Sequence, residues 1–198
     1  MFNEIIFPAA IIQPPFFIFD ADDAINYGAI GSIIAHELTH GFDDQGRKYD
    51  ENGNLRQWWT PEDIKQFNAR TNLIVEQFNN YQLLNTSVNG FLTLGENIAD
   101  LGGVEIAYEA FMQTEQAAMG VLIDDFTPQE RFFLAFSRAF RVKITDAKLR
   151  LLINVDPHSP SMFRVNGVLS NVIGFYRTYN VTENDQMFRE ASKRVLIW

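Results

Sequence analysis

A chain of 198 residues, 46% apolar and 14% aromatic with 18 Phe, is long enough for one domain with a real core and too apolar for a disordered tail. Its 16 Lys+Arg against 25 Asp+Glu give a formal charge of −9, so no basic block exists to neutralise phosphates, which argues against a nucleic-acid partner. The absence of cysteine removes both a disulfide framework and a thiol nucleophile.

The first residues, MFNEIIFPAAIIQPPFFIF, are apolar, yet they lack a basic start, carry Glu4 and are broken by Pro8, Pro14 and Pro15. That fits neither a signal peptide nor a membrane segment and predicts short extended pieces separated by proline turns. Asn26-Tyr27-Gly28 then leads into a predicted helix over about 29–41, where Ile30, Ile33, Ile34 and Leu38 recur at helical spacing and Gly41 is a natural stop. Residues 43–55, rich in Asp, Asn and Gly, predict a turn-laden loop. Thr60-Pro61-Glu62-Asp63 supplies a hydroxyl cap, a first-turn proline and two acids, and predicts a helix to about Leu84. After the Asn89-Gly90 turn, a helix is predicted from Leu94 or Gly95 to about Met119, with Gly102-Gly103 interrupting its propensity. Thr127-Pro128-Gln129-Glu130 repeats the capping pattern and opens a helix to about Lys143. Residues 156–160 predict an ordered loop, and 161–174 a segment helical in part. With no internal repeat or linker, the expectation is one mainly α (α+β) domain over residues 1–198.

Within the first predicted helix, His36-Glu37-Leu38-Thr39-His40 spells H-E-x-x-H. Residues four apart share a helix face, so His36 and His40 can present two imidazole nitrogens to one ion, while Glu37 is placed to reach a water on it. An amphipathic helix with hydrogen-bonded histidines would carry the same letters, so the motif needs support from elsewhere. Asp43 and Gly46 stand where a metzincin would place its glycine and third histidine, so a third ligand must lie further along. Glu96 and Asp100 are again four apart on a predicted helix. One carboxylate would complete a His₂Glu zinc site with an open fourth position, and the other could accept the free N–H of a ligating histidine.

Several stretches together resemble the neprilysin-like zinc peptidases: Phe7-Pro8-Ala9-Ala10, Gln13-Pro14-Pro15-Phe16-Phe17, Asn26-Tyr27-Gly28-Ala29-Ile30-Gly31, HELTHGFDDQGR, Trp58-Trp59-Thr60, TLGENIADLGG, and His158-Ser159-Pro160 followed by Phe163-Arg164. The resemblance implies a thermolysin-like catalytic domain of the gluzincin type, with a few short N-terminal strands. It implies Zn²⁺ held by His36, His40 and Glu96, with Glu37 as general base and Asp100 as partner of a ligating histidine. His158 would donate to the oxyanion and Arg164 would hold a backbone carbonyl of a peptide substrate. Ile11, Phe16, Ile33, Ala139 and Phe140 would form an apolar pocket for the side chain after the scissile bond, so cleavage is expected on the amino side of hydrophobic residues.

Members of that group also carry a large N-terminal helical domain that caps the active site, and an Asn-Ala-aromatic motif just before the Phe-Pro-Ala stretch. No residue here can be assigned to that motif, so the expectation includes an alternative: a weakly active or non-catalytic zinc-binding unit that needs such a domain as partner. Ala35 replaces a glycine common before the first zinc histidine, a change a helix tolerates. The lack of cysteine favours the cytoplasm of a bacterium, with a secreted or anchored ectodomain as the other option.

Overall fold

A computed structural model describes residues 3–197; Met1 and Phe2, at the head of the apolar run, and Trp198 lie outside the described residues. The N-terminal segment, expected to contribute short strands, pairs into none among the described residues. It is coil with one 3₁₀ turn at Ala9–Ile11, as its prolines, which lack an N–H to donate to a ladder, would dictate. The sheet that does form is a hairpin of Gln82–Leu83 (β1) and Thr86–Ser87 (β2). Its turn residues Leu84 and Asn85 both take positive φ, at 53° and 59°, the twist that suits a two-residue hairpin loop.

The helix bearing the H-E-x-x-H run starts earlier than its apolar spacing suggests. Asp22 Oδ1 accepts from Ile25 N at 3.0 Å, and α1 opens at Asp23–Asn26, followed by a wide π turn at Tyr27–Gly31 and α2 at Ser32–Thr39. A 3₁₀ turn, His40–Phe42, ends the run. The helix α3 (Pro61–Asn79) has the predicted hydroxyl cap at Thr60, which Asp63 closes into a reciprocal capping box, but gives way to the β-hairpin before Leu84. The helix expected over 94–119 is two: α4 (Leu94–Met112) and α5 (Glu115–Met119), separated because Thr114 Oγ1 accepts from Ala117 N and caps a new start. Next come α6 (Pro128–Ala139), α7 (Asp146–Val155), which the sequence reading left unassigned, α8 (Ser161–Leu169) and α9 (Ile173–Tyr179).

The axis of the fold is α4. Residues 97–104 are all buried, the signature of a helix surrounded on every side. Phe111 of α4 stacks on Phe132 of α6 (centroids 5.5 Å apart), and Tyr108 on Phe133 (4.9 Å). The most extensive packing between any two elements is α2 on α4. Gly103 explains it: a Cβ there would lie 2.7 Å from Ser32 O and 2.8 Å from His36 N, so the backbones meet with nothing between them. The glycine pair that looked like a weakness in a helix is the point of contact. On the other side of the same run, a Cβ at Gly28 would lie 2.2 Å from Phe132 O, which seats α6.

Candidate metal centre

Close approach of α4 to α2 sets the histidines of one helix against the carboxylates of the other. His36 Nε2 and His40 Nε2 lie 3.0 Å apart. Glu96, in the first turn of α4, places Oε2 3.3 Å from His36 Nε2 and Oε1 3.6 Å from His40 Nε2. One ligand atom from each of the three residues falls within 4.8 Å of the other two.

The other ring nitrogens are already committed. His36 Nδ1 donates to Asp100 Oδ1 and His40 Nδ1 donates to Asp43 Oδ2, each at 2.8 Å. With both Nδ1 atoms as donors, each ring in its neutral form turns an Nε2 lone pair to the same spot, and Glu96 adds more. Glu96 Oε2 is buried and makes no well-aligned hydrogen bond, although His158 Nε2 is 3.1 Å away. A cation resolves this convergence of acceptors. Ligands about 2.0–2.1 Å from a tetrahedral zinc sit roughly 3.3 Å apart, close to the spacings here, and a His₂Glu set is one that zinc takes. The residues present fit the ion.

Electrostatics point the same way. Burial opposes charge on His36, but its contacts with Asp100 and Glu96 prevail and push its pKa up to about 9. Burial likewise opposes ionisation of Glu96, yet the adjacent His158 and His36 hold it well below the usual carboxylate range. Asp100, which burial alone would protonate, is held low by the Arg164 guanidinium. The carboxylates therefore stay charged and draw positive charge to the spot.

Three further residues from the sequence reading surround this group. Arg164, in the first turn of α8, donates Nε and Nη2 to the two oxygens of Asp100, both at 2.7 Å. His158 sits half-exposed on the loop after α7; its backbone N–H and Nδ1 both donate to Asp156 Oδ1 at 2.8 Å. That leaves Nε2 facing Glu96, which, with Asp156, raises the His158 pKa. Glu37 is exposed and borders a cleft of about 740 Å³ that also takes in His40, Leu38, Phe42, Trp58, Ile5 and Ile6.

Of the residues expected to form the apolar pocket, one lies against the centre's arginine. Phe140 lies under Arg164, with the guanidinium carbon 4.8 Å from its ring centroid. Ile11, Phe16, Ile33 and Ala139 are half-buried, and none of them borders the 740 Å³ cleft. Sequence reading missed Asp43 and Asp156. Each is an acid two or three residues from a candidate histidine, a cue available in the letters but common to many loops. Among the described residues, no helix is long and apolar enough to cross a membrane.

Comparison with known proteins agrees with this geometry. The pattern of Peptidase family M13 matches residues 1–195. An endothelin-converting enzyme homolog of Locusta migratoria is 46% identical over 87% of this chain and 24% of its own length. Neprilysin-11 of Caenorhabditis elegans is 45% identical over 99% of the chain and 24% of its own length. The crystal structure of the Mycobacterium tuberculosis zinc metalloprotease ZMP1 in complex with an inhibitor superposes with a TM-score of 0.93 at 45% identity, covering 99% of this chain and 31% of that one. PepO from Lactobacillus rhamnosis gives 0.87 at 34% identity, over 97% and 29%. The chain thus spans about a quarter of the length of the relatives it matches. With the family pattern covering almost every residue and relatives this similar, the chain belongs to Peptidase family M13.

Proposed function

We propose that this chain, as one catalytic domain over residues 1–198, is a zinc-dependent endopeptidase unit that hydrolyses peptide bonds on the amino side of hydrophobic residues. The observation that carries the reading is the convergence of His36, His40 and Glu96 with Glu37 on the bordering cleft and His158 at 3.1 Å from Glu96. Those three donors would hold zinc, which when bound supplies a Lewis acid for the scissile carbonyl and an acidified water, with a pKa near about 7 in well-formed sites.

The chain's own residues do the rest. Glu37 takes a proton from the attacking water and returns it to the leaving amine nitrogen. His158, its ring oriented through Nδ1 by Asp156, donates from Nε2 to the developing oxyanion. Asp100 fixes the tautomer of His36, and Asp43 does the same for His40. Arg164, held rigid by Asp100, offers what remains of its fork to a substrate backbone carbonyl. Ile11, Phe16, Ile33, Ala139 and Phe140 would receive the side chain after the scissile bond. The lack of cysteine permits a reducing compartment without demanding one, and we assign the activity to the bacterial cytoplasm, with a secreted or membrane-anchored ectodomain as the alternative.

A second reading keeps the zinc and moves turnover to this unit joined with a further, capping domain. It is favoured by the exposure of Leu38, Phe42 and Trp58 along the cleft beside Glu37. A fluorogenic peptide assay with and without chelator, on this chain and on the chain joined to the upstream part of a relative, decides between the two. In the active form, Glu37→Gln should keep one zinc and lose about 10²–10⁴ in turnover. Undiminished turnover by that variant would remove Glu37 from its role.

A further inference from the structure

We infer that Asn97 and Ser159 are positioning residues for His158: the buried hydrogen bond between them pins the His158 loop to the helix that carries Glu96. The inference rests on the zinc-peptidase reading and deepens it.

His158 and Glu96 come from distant parts of the chain, and their immediate neighbours in sequence are bonded to each other. Ser159 Oγ donates to Asn97 Oδ1 at 2.8 Å. Asn97 Nδ2 donates to Thr93 Oγ1 at 2.9 Å, and Thr93 Oγ1 donates to Asn89 O at 3.1 Å. The result is a head-to-tail chain of three bonds, in which the carbonyl of a turn fixes the Thr93 hydroxyl, Thr93 fixes which way the Asn97 amide points, and Asn97 holds Ser159. Asn97, Thr93 and Ser159 are 1%, 2% and 3% exposed. No water competes there, and a broken member would leave a buried polar atom orphaned.

The other support of His158 cannot do this job. Asp156 orients the imidazole, but it belongs to the same loop and follows α7, whose Leu151 and Val155 are exposed. Asp156 therefore sets the ring relative to the loop, and the place of the loop on α4 must come from contacts that cross to α4: His158 itself on Glu96, Arg164 on Asp100, and between them Ser159 on Asn97. Among the described residues, the Ser159–Asn97 bond is the fully buried polar contact that joins residues 156–160 to α4, and unlike the contact of His158 with Glu96 it does not involve a group that zinc or substrate would engage. A donor to a developing oxyanion works only from a fixed place, and an error near 1 Å can cost about 10²-fold.

The chain has three histidines, two of them in the metal group, so in the zinc-loaded chain labelled with ¹⁵N-histidine the third ring reports alone. Ser159→Ala is expected to broaden or split the His158 ring signals while leaving those of His36 and His40, and the zinc content, as in the parent. Ser159→Thr, which keeps the hydroxyl, should restore one sharp set. In the peptide assay Ser159→Ala should lower kcat by ~10–100-fold with KM nearly unchanged. Unchanged His158 signals, an unchanged kcat in an active parent, or loss of zinc or cooperative unfolding that Ser159→Thr does not restore would each overturn the assignment. A parent that turns over no peptide, alone or joined to the upstream part of a relative, while its His158 signals still respond to Ser159→Ala, sinks the peptidase reading and leaves the strut standing.

Discussion

Arg164 and Asp100 form a two-pronged ion pair, 2.7 Å at each contact, in which the Asp100 side chain is only 1% exposed and one of its oxygens also accepts from His36 Nδ1. The same carboxylate thus serves the fold and the metal centre. Arg164→Met leaves it buried with a single partner and should cost about 3–5 kcal/mol in urea unfolding. The double variant Arg164→Met/Asp100→Leu should recover much of that stability but not the zinc affinity, which a competition titration would read. If Arg164→Met unfolds like the parent, the pair is not holding the helices together.

Asp43 makes a sharper case, because its job is narrow. Besides accepting from His40 Nδ1, its Oδ1 accepts from Gln45 N at 2.8 Å and Gly46 N at 2.7 Å. Asp43→Asn can keep the turn through those two backbone bonds while its amide no longer requires a proton on His40 Nδ1. We expect a folded protein whose zinc affinity falls ~10–100-fold. A variant with parental affinity would show that His40 needs no such partner.

Removing zinc should loosen the protein as well as silence it, because the bonds that tie α2 to α4 through His36, His40 and Glu96 are then lost. Stabilisation by a ligand grows as the logarithm of its concentration over Kd and reaches about 2.7 kcal/mol at 100 Kd. Melting temperature should therefore climb steadily with free zinc. It should not do so for a His36→Ala/His40→Ala variant.

Glu105, on α4 beyond the metal centre, gives a pH dependence of known sign. Burial, with Glu109 nearby, pushes its pKa from the ordinary 4.5 up to about 8. A carboxyl group that holds its proton more tightly folded than unfolded lends stability that is complete below about pH 4.5 and is lost as pH rises to about 8. Across that window the loss is on the order of a kcal/mol per pH unit. Glu105→Gln should therefore melt above the parent at pH 9, with the gap closing toward pH 5. A gap that does not vary with pH would show that Glu105 ionises normally.

What the sequence disclosed and what it hid divide along a physical line. His36 with His40, and Glu96 with Asp100, were legible because four residues on a helix is a fixed geometry that letters alone convey. The capping boxes at Thr60 and Thr127 were legible for the same reason. His158 and Arg164 came from resemblance, since nothing local says that a loop beyond residue 155 returns to α4. Asn97 and Ser159 stayed invisible: an Asn inside a helix and a Ser between His158 and Pro160 look ordinary until folding brings them within 2.8 Å. Helix ends went wrong where a new cap intervened, as at Thr114, or where the chain entered a hairpin, as after Asn79. The run Asn26-Tyr27-Gly28 concealed a continuous helix because its glycine serves the packing of α6 rather than a turn.

The bare backbone at Gly103 acts as a gauge. With no side chain between α4 and Ser32 or His36, the gap between the histidine pair and Glu96 is set by contact of peptide against peptide, the least adjustable spacing a protein has. An added methyl would push α4 away from Ser32 and His36 and prise Glu96 from the histidine pair, weakening the hold of a His₂Glu set on zinc. The grip on the metal is thereby recorded at a position that touches neither the ion nor the peptide.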